Sequence, residues 1–354
     1  MTIKPNAKDS MKSTWRLADR STWAREHWMI QLFNAHPVDL DRPIPVHPKT
    51  DKMPHVSQWS QHLWILTYAL LPLGIQQVWT SLTGRQSPGY LGLFALYLSA
   101  STAIAIREVH ILRRLGHKYG FLDGDVSQRD GVPDVGVAKI VASLLKTTGS
   151  RIAMALYMTH NHRQSPAASL GDWQWWAWLP VENGLYSVTL DFWFYWYHRA
   201  MHDIPFLWEY HRTHHLAKHP NPLMTAYADH EQEFLDMVGM PFLAYMTLWA
   251  MGLPLGFHEW WICHQYVVYS EIWGHSGVRA NFAPPSTVVW LLEAFRMDLV
   301  GEDHDLHHRK GWRKSFNYDK QTRVWDRIFG TCADRIESAA GNLDYSDQVT
   351  MPIF

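Results

Sequence analysis

Positions 63–82 carry no charged side chain, a run about long enough for a helix to cross the hydrocarbon core of a bilayer. Thr83-Gly84-Arg85-Gln86-Ser87-Pro88-Gly89 then reads as a turn, and 90–106 is uncharged again. The pair predicts a helical hairpin in a membrane; two core helices of a soluble protein are the alternative. Arg107, Arg113, Arg114 and Lys118 follow directly and assign that end to the cytosolic side. Positions 120–133, rich in Asp and Gly, read as a loop. Positions 137–159 are apolar but carry Lys139, Lys146 and Arg151, which predicts an amphipathic helix on the membrane surface. Positions 173–197 are strongly aromatic, and Glu182 and Asp191 within them are expected to face protein or a cavity rather than lipid. A second hairpin is predicted from the uncharged runs 237–257 and 260–270, broken at Gly252-Leu253-Pro254-Leu255-Gly256. Beyond Asn281 the chain turns polar and basic, as expected of a cytosolic surface. The number of crossings between Arg107 and His198 stays open.

Residues 1–60 are polar and lack the apolar core of a secretory signal, so insertion is expected to use internal segments. The fold expected is all-α, an integral-membrane helical bundle with a cytosolic, histidine-rich cap. Its organisation is a polar arm at 1–58, the membrane-embedded domain at 59–335 and a tail at 336–354.

Composition sharpens this picture. The net charge of -1 offers no electrostatic reason for a nucleic-acid partner. Two cysteines, Cys263 and Cys332, build neither a disulfide framework nor a thiolate metal site. The 20 tryptophans suit a chain with wet and apolar zones side by side.

The 22 histidines are not scattered evenly. They concentrate in His198-Arg-Ala-Met-His202, His211-Arg-Thr-His214-His215 and His304-Asp-Leu-His307-His308. Residues three and four apart share a helix face, so each cluster is expected to aim its imidazoles at one point. Neutral imidazole binds iron, zinc, copper and nickel. Chance predicts fewer than about 0.1 copies of His-x-x-His-His here, and two occur. Eight such ligands exceed what one ion takes and suit two. His275, in Trp273-Gly-His275-Ser-Gly277 at the returning end of the second hairpin, lies on the clusters' side of the membrane, and His230 is a weaker candidate. His219, in a turn, and His258, at the hairpin bend, are less convincing.

In this order, with a hydrophobic hairpin between the second and third, the clusters resemble the fatty acid hydroxylase and sterol desaturase superfamily of integral-membrane di-iron enzymes. His275-Ser276-Gly277 is similar to its His-Ser-Gly element. Asn317-Tyr318 followed by Trp325-Asp326-Arg327-Ile328-Phe329-Gly330-Thr331 is similar to its C-terminal signature. The resemblance spans about 191–331. His230-Glu-Gln-Glu233 stands where the family often has His-Pro-x-Glu, and Asp319 where it has Gly.

The resemblance implies a metal site of two Fe ions, with ligands from His198, His202, His211, His214, His215, His275, His304, His307 and His308, and His230 as a tenth. It implies dioxygen-dependent hydroxylation or desaturation of a hydrophobic small-molecule substrate at a membrane such as the endoplasmic reticulum, facing the cytosol. Asp203, Asp229, Glu302, Asp303 and Asp305 are candidates to orient the ligands. The tryptophan-rich 172–197 segment is a candidate to line the substrate route from the membrane lipid. No Gly-x-Gly-x-x-Gly run or cysteine array is present, so electrons are expected from a separate reductase through an electron-transfer protein. Arg212, Lys218, Arg309, Lys310, Arg313 and Lys314 are candidates to dock it. A zinc hydrolase or lyase, and a metal transporter or sensor, are the competing readings.

Overall fold

The computed structural model describes residues 6–354. The first five residues of the arm lie outside the described residues. The rest of the arm forms a short helix, α1 (Arg25–Leu32), and a strand, β1 (Met53–Val56). The first hairpin follows as α2 (Gln58–Thr83) and α3 (Gly89–Tyr119). Ser57 caps the start of α2 by accepting from Ser60 N, and Gly84 ends it at φ +66°, a left-handed turn that glycine enters without steric cost. The next element, α4 (Val137–Thr159), has the predicted bounds. One face packs along α3, burying Ile140, Ile152, Ala155 and Leu156, while Leu144, Leu145, Lys146 and Tyr157 are exposed on the other.

A short α5 (Pro166–Leu170) leads into the long aromatic helix α6 (Trp173–Asp203), started by Asp172 accepting from Gln174 N. Next come α7 (Pro205–His211) and α8 (His230–Phe234), the latter running through a π turn at Leu235–Gly239 into α9 (Met240–Ala250). The break at 251–256 is where predicted, and α10 (Phe257–Gly274) returns from it. Helix α10 is buried nearly all round and forms the axis of the bundle, flanked by α2, α3 and α6. Trp64, Trp260, Trp261 and Trp273 are fully buried around it.

Short α11 (Val289–Ala294), α12 (Gly301–Lys310) and α13 (Val324–Phe329) complete the histidine-bearing end. The tail adds β2 (Leu343–Val349), which pairs in parallel with β1 from Met53↔Leu343 to Val56↔Val349. The fold is thus mostly helical rather than all-α. Met53-Pro-His-Val56 is too short for a period-2 pattern and holds a proline, so its partner 290 residues away, not its sequence, makes it a strand.

Among the described residues one helix, α3, is long and apolar enough to cross a membrane. The outer face of α2 still presents Leu63, Leu71, Ile75, Val78 and Leu82 to its surroundings.

Candidate metal centre

His198 and His202 end α6 one turn apart, α7 and the following turn carry His211, His214 and His215, α12 carries the third cluster, and His275 caps α10. These elements converge, and nine imidazoles meet in two adjacent groups. One holds His198, His202, His211, His215 and His307, the other His214, His275, His304 and His308. All nine are at most 4% exposed.

The groups are not the sequence clusters. Each His-x-x-His-His run is divided between them, which corrects the expectation that a cluster aims at one point. The reason is helical geometry: His304 and His308, or His211 and His215, are four apart and share a bearing, whereas a residue adjacent to either points about 100° away.

In the first group His211 Nε2 lies 3.1 Å from Nε2 of His198, His202 and His215, and His215 Nε2 lies 3.0 Å from that of His307. In the second, His275 Nε2 is 3.0 Å from His304 Nε2 and 3.5 Å from His214 Nε2. Donors around one ion at about 2.1 Å stand roughly 3.0 to 3.4 Å apart.

The opposite ring nitrogens settle the tautomer. Nδ1 donates to a backbone carbonyl in six of the nine: His198 to Tyr318 (2.8 Å), His202 to Trp312 (2.7 Å), His214 to Tyr227 (3.3 Å), His275 to Glu271 (2.8 Å), His307 to Phe316 (2.6 Å) and His308 to Ala217 (3.0 Å). A carbonyl only accepts, so each Nδ1 carries the proton and each Nε2 points a bare lone pair inward. Lone pairs packed this closely repel one another unless a cation lies between them. For His211, His214, His215, His304, His307 and His308, burial first, then neighbouring charges, holds the pKa well below the ordinary value, so they are neutral. Neutral nitrogen donors, five and four, fit two transition-metal ions.

None of the five carboxylates expected to orient ligands bonds an imidazole. Asp203 pairs with Arg199, Asp229 with Lys139, Asp305 with Arg129 and Arg309, and Asp303 with Arg335. Glu302 accepts from the backbone of residues 336–338. Backbone carbonyls take the orienting role, and a sequence carries no signal for them. The C-terminal signature builds their platform. Asn317 adopts φ +53°, donates to Asp303 O and accepts from Ala333 N. Asp326 accepts from the backbone N–H of Tyr318 and Asp319. Asp191, on α6, accepts from Lys320, Gln321 and Thr322. In the His-Ser-Gly element Gly277 has φ +61°, and a Cβ there would meet the Arg129 guanidinium at 2.2 Å.

His230 is exposed and belongs to neither group. His219 bonds Asp123 and His258 bonds Ser169, both away from the groups. Of the candidate docking cations, Arg309 is buried among Asp123, Glu302 and Asp305, Arg212 is held by Asp9, and Lys218 donates to Gly311 O. Lys310, Arg313 and Lys314 are exposed.

Beside the first group lies an apolar cavity of about 210 Å³. Phe194 joins the two, lining the cavity while its ring centroid stands 5.3 Å from that of His198. The walls come from α3, α4, the 222–241 segment and α10, with Met29, Ile30 and Phe33 of the arm closing one side. The tryptophan-rich stretch of α6 does not line it: only Leu190 and Phe194 do, and Trp173, Trp176, Trp178 and Trp196 face outward.

Comparison with known proteins places the chain in a family. The family model "Fatty acid hydroxylase" matches residues 184–331. The fatty acid hydroxylase vlmA of a Lecanicillium species is 46% identical over 316 residues, 87% of this chain and 86% of its own. Alkylglycerol monooxygenase of Xenopus tropicalis is 27% identical over 184 residues, 52% of this chain and 36% of its own. Methylsterol monooxygenase 2-1 of Arabidopsis thaliana is 30% identical over 165 residues, 44% and 57% respectively. No solved structure matches the chain. With its extended identity to one such hydroxylase and its shared histidine-bearing region, the chain belongs to the fatty acid hydroxylase and sterol desaturase superfamily of lipid-oxidising enzymes.

Proposed function

We propose that this protein is a membrane-embedded di-iron oxygenase that hydroxylates or desaturates an unactivated C–H bond of a hydrophobic lipid. The observation that carries the reading is the gathering of nine buried imidazoles into two close groups, six of them held with Nε2 inward by an Nδ1–carbonyl bond. His198, His202, His211, His215 and His307 would hold one iron, and His214, His275, His304 and His308 the other. His230 is left out because it is exposed. When bound, the irons would supply dioxygen activation and hydrogen removal from the substrate.

The chain supplies the rest. Buried rings keep the ligands neutral and keep bulk water out. The apolar cavity receives the hydrophobic chain, and Phe194 guides it toward His198. Inserting one oxygen atom from dioxygen takes two electrons from outside, so a separate reductase and carrier are required. Exposed Lys310, Arg313 and Lys314, on and just after α12, suit an acidic carrier. The apolar outer face of α2 and the length of α3 support insertion of the first hairpin, with the donor sets on the cytosolic side of the endoplasmic reticulum or an equivalent membrane. A catalytic zinc takes about three protein ligands, and nine donors in two sets argue against the hydrolase alternative.

Membranes containing the protein, given a long-chain lipid under isotopically labelled dioxygen, are expected to form either a labelled alcohol or, with the label in water, an unlabelled alkene, and only when reductant is supplied. Undiminished turnover without oxygen overturns the oxygenase reading.

A further inference from the structure

Charge is matched at one end of the apolar cavity and unmatched at the other. Near the histidines Lys320 Nζ lies 3.1 Å from Glu271 Oε2, with Glu233 and Asp236 close by. Farther along α4, Arg151 also lines the cavity. It is 2% exposed; its Nε and Nη2 are enclosed without a well-formed hydrogen bond, and the Tyr186 hydroxyl is the polar group beside it. Among the described residues no carboxylate pairs with it. Its guanidinium carbon lies 5.8 Å from the centre of the Trp260 ring, on which His264 stacks at 5.0 Å. A ring face attracts the cation but leaves those N–H groups without an acceptor.

A buried guanidinium without a counter-charge is costly, so its place in the cavity wall calls for an anion in the cavity. The walls around it are otherwise apolar with a few hydroxyls, Thr148 among them. The ligand such a space selects is therefore a single apolar chain with one anionic end. A carboxylate is the simplest such anion, since it accepts a charge-assisted hydrogen bond from a guanidinium nitrogen. The end with Lys320 is a poorer seat, because three carboxylates already surround that ammonium. Arg151 also lies outside residues 184–331, so this feature is not part of the matched family region.

We propose that Arg151 is the anchor for the carboxylate end of an acyl chain lying in the cavity, with the rest of the chain extended toward the two histidine groups. The oxygenase reading bears on what happens to that chain, whereas the anchoring stands or falls on binding alone.

The test uses the full-length protein in detergent without reductant, so that binding is read apart from turnover. A fluorescent fatty acid is displaced by a long-chain saturated fatty acid or by its methyl ester. The wild type is expected to bind the acid about tenfold to a hundredfold more tightly than the ester, the worth of one charge-assisted buried contact. Arg151→Met should lose that preference while still binding the ester, which serves as the control for folding. Arg151→Lys, which keeps the charge without the guanidinium, should fall between them and carries the test if Arg151→Met does not fold. Equal binding of acid and ester by the wild type overturns the proposal. So does undiminished acid preference in Arg151→Met, or in Arg151→Lys where that variant stands in for it. If the preference holds but no oxygen-dependent product forms, the anchoring stands and the oxygenase reading falls.

Discussion

His198 donates its Nδ1–H to the carbonyl of Tyr318, 2.8 Å away and 120 residues later in the chain. The orientation of a ring at the end of α6 is therefore decided by a loop near the C-terminus. That loop is itself held from α6, because Asp191 accepts from the backbone of Lys320, Gln321 and Thr322. Helix and loop thus brace each other, and the lone pair of His198 is aimed as a result.

Asp191→Asn should loosen that brace. The amide replaces a charged acceptor of several N–H groups with a weaker one, so the Tyr318 and Phe316 carbonyls lose their register beneath His198 and His307. Metal affinity is expected to fall by about tenfold to a hundredfold, in line with other orienting contacts around metal ligands. Iron per chain after dialysis against a chelator measures it, with circular dichroism showing that the helices remain.

Ligand and bystander histidines should separate cleanly. His214→Ala and His307→Ala remove a donor from one set each, and iron content and turnover are expected to be lost. His230→Ala, at an exposed position, and His55→Ala, in β1, should retain most of both. Equal loss in the two pairs would remove the support for the ligand assignment.

Acid should destabilise the metal-free protein through the same rings. Burial holds His211, His214, His215, His304, His307 and His308 well below the ordinary value of 6.5, so the folded chain resists protonation there. The unfolded chain takes up protons below about pH 6.5, and stability falls as pH drops beneath that value. Thermal unfolding of the chelator-treated protein is expected to shift to lower temperature from pH 7 to pH 5. A His307→Gln variant should show a smaller shift.

The N-terminal arm should influence chain length. Ile30 is 5% exposed and forms part of the cavity wall. Ile30→Trp adds bulk there, and KM for long substrates is expected to rise severalfold while shorter ones are spared. An unchanged length profile would mean that the substrate does not reach the arm.

Much of this was readable along the chain. The uncharged runs mark α2 and α3, the Gly-Leu-Pro-Leu-Gly break separates α9 from α10, and the bounds of α4 follow from its apolar stretch, because these are local matters of period, length and backbone freedom. Histidine spacing singles out the donor residues for the same reason: ring bearings on one helix follow from its pitch.

Local sequence thus dictates which elements form and which side chains are available as donors. Which donors from other helices complete each set was decided only in three dimensions. His214 leaves His211 and His215 to join His275, and His307 leaves its neighbours on α12, because each ring meets whatever another helix brings within about 3 Å. The same holds for the carbonyls that fix the tautomers, the placement of α4 in the bundle, the pairing of β1 with β2 and the closure of the cavity by the arm. Each is a contact between residues far apart in sequence, and backbone carbonyls look alike in every residue until folding chooses which of them faces an imidazole.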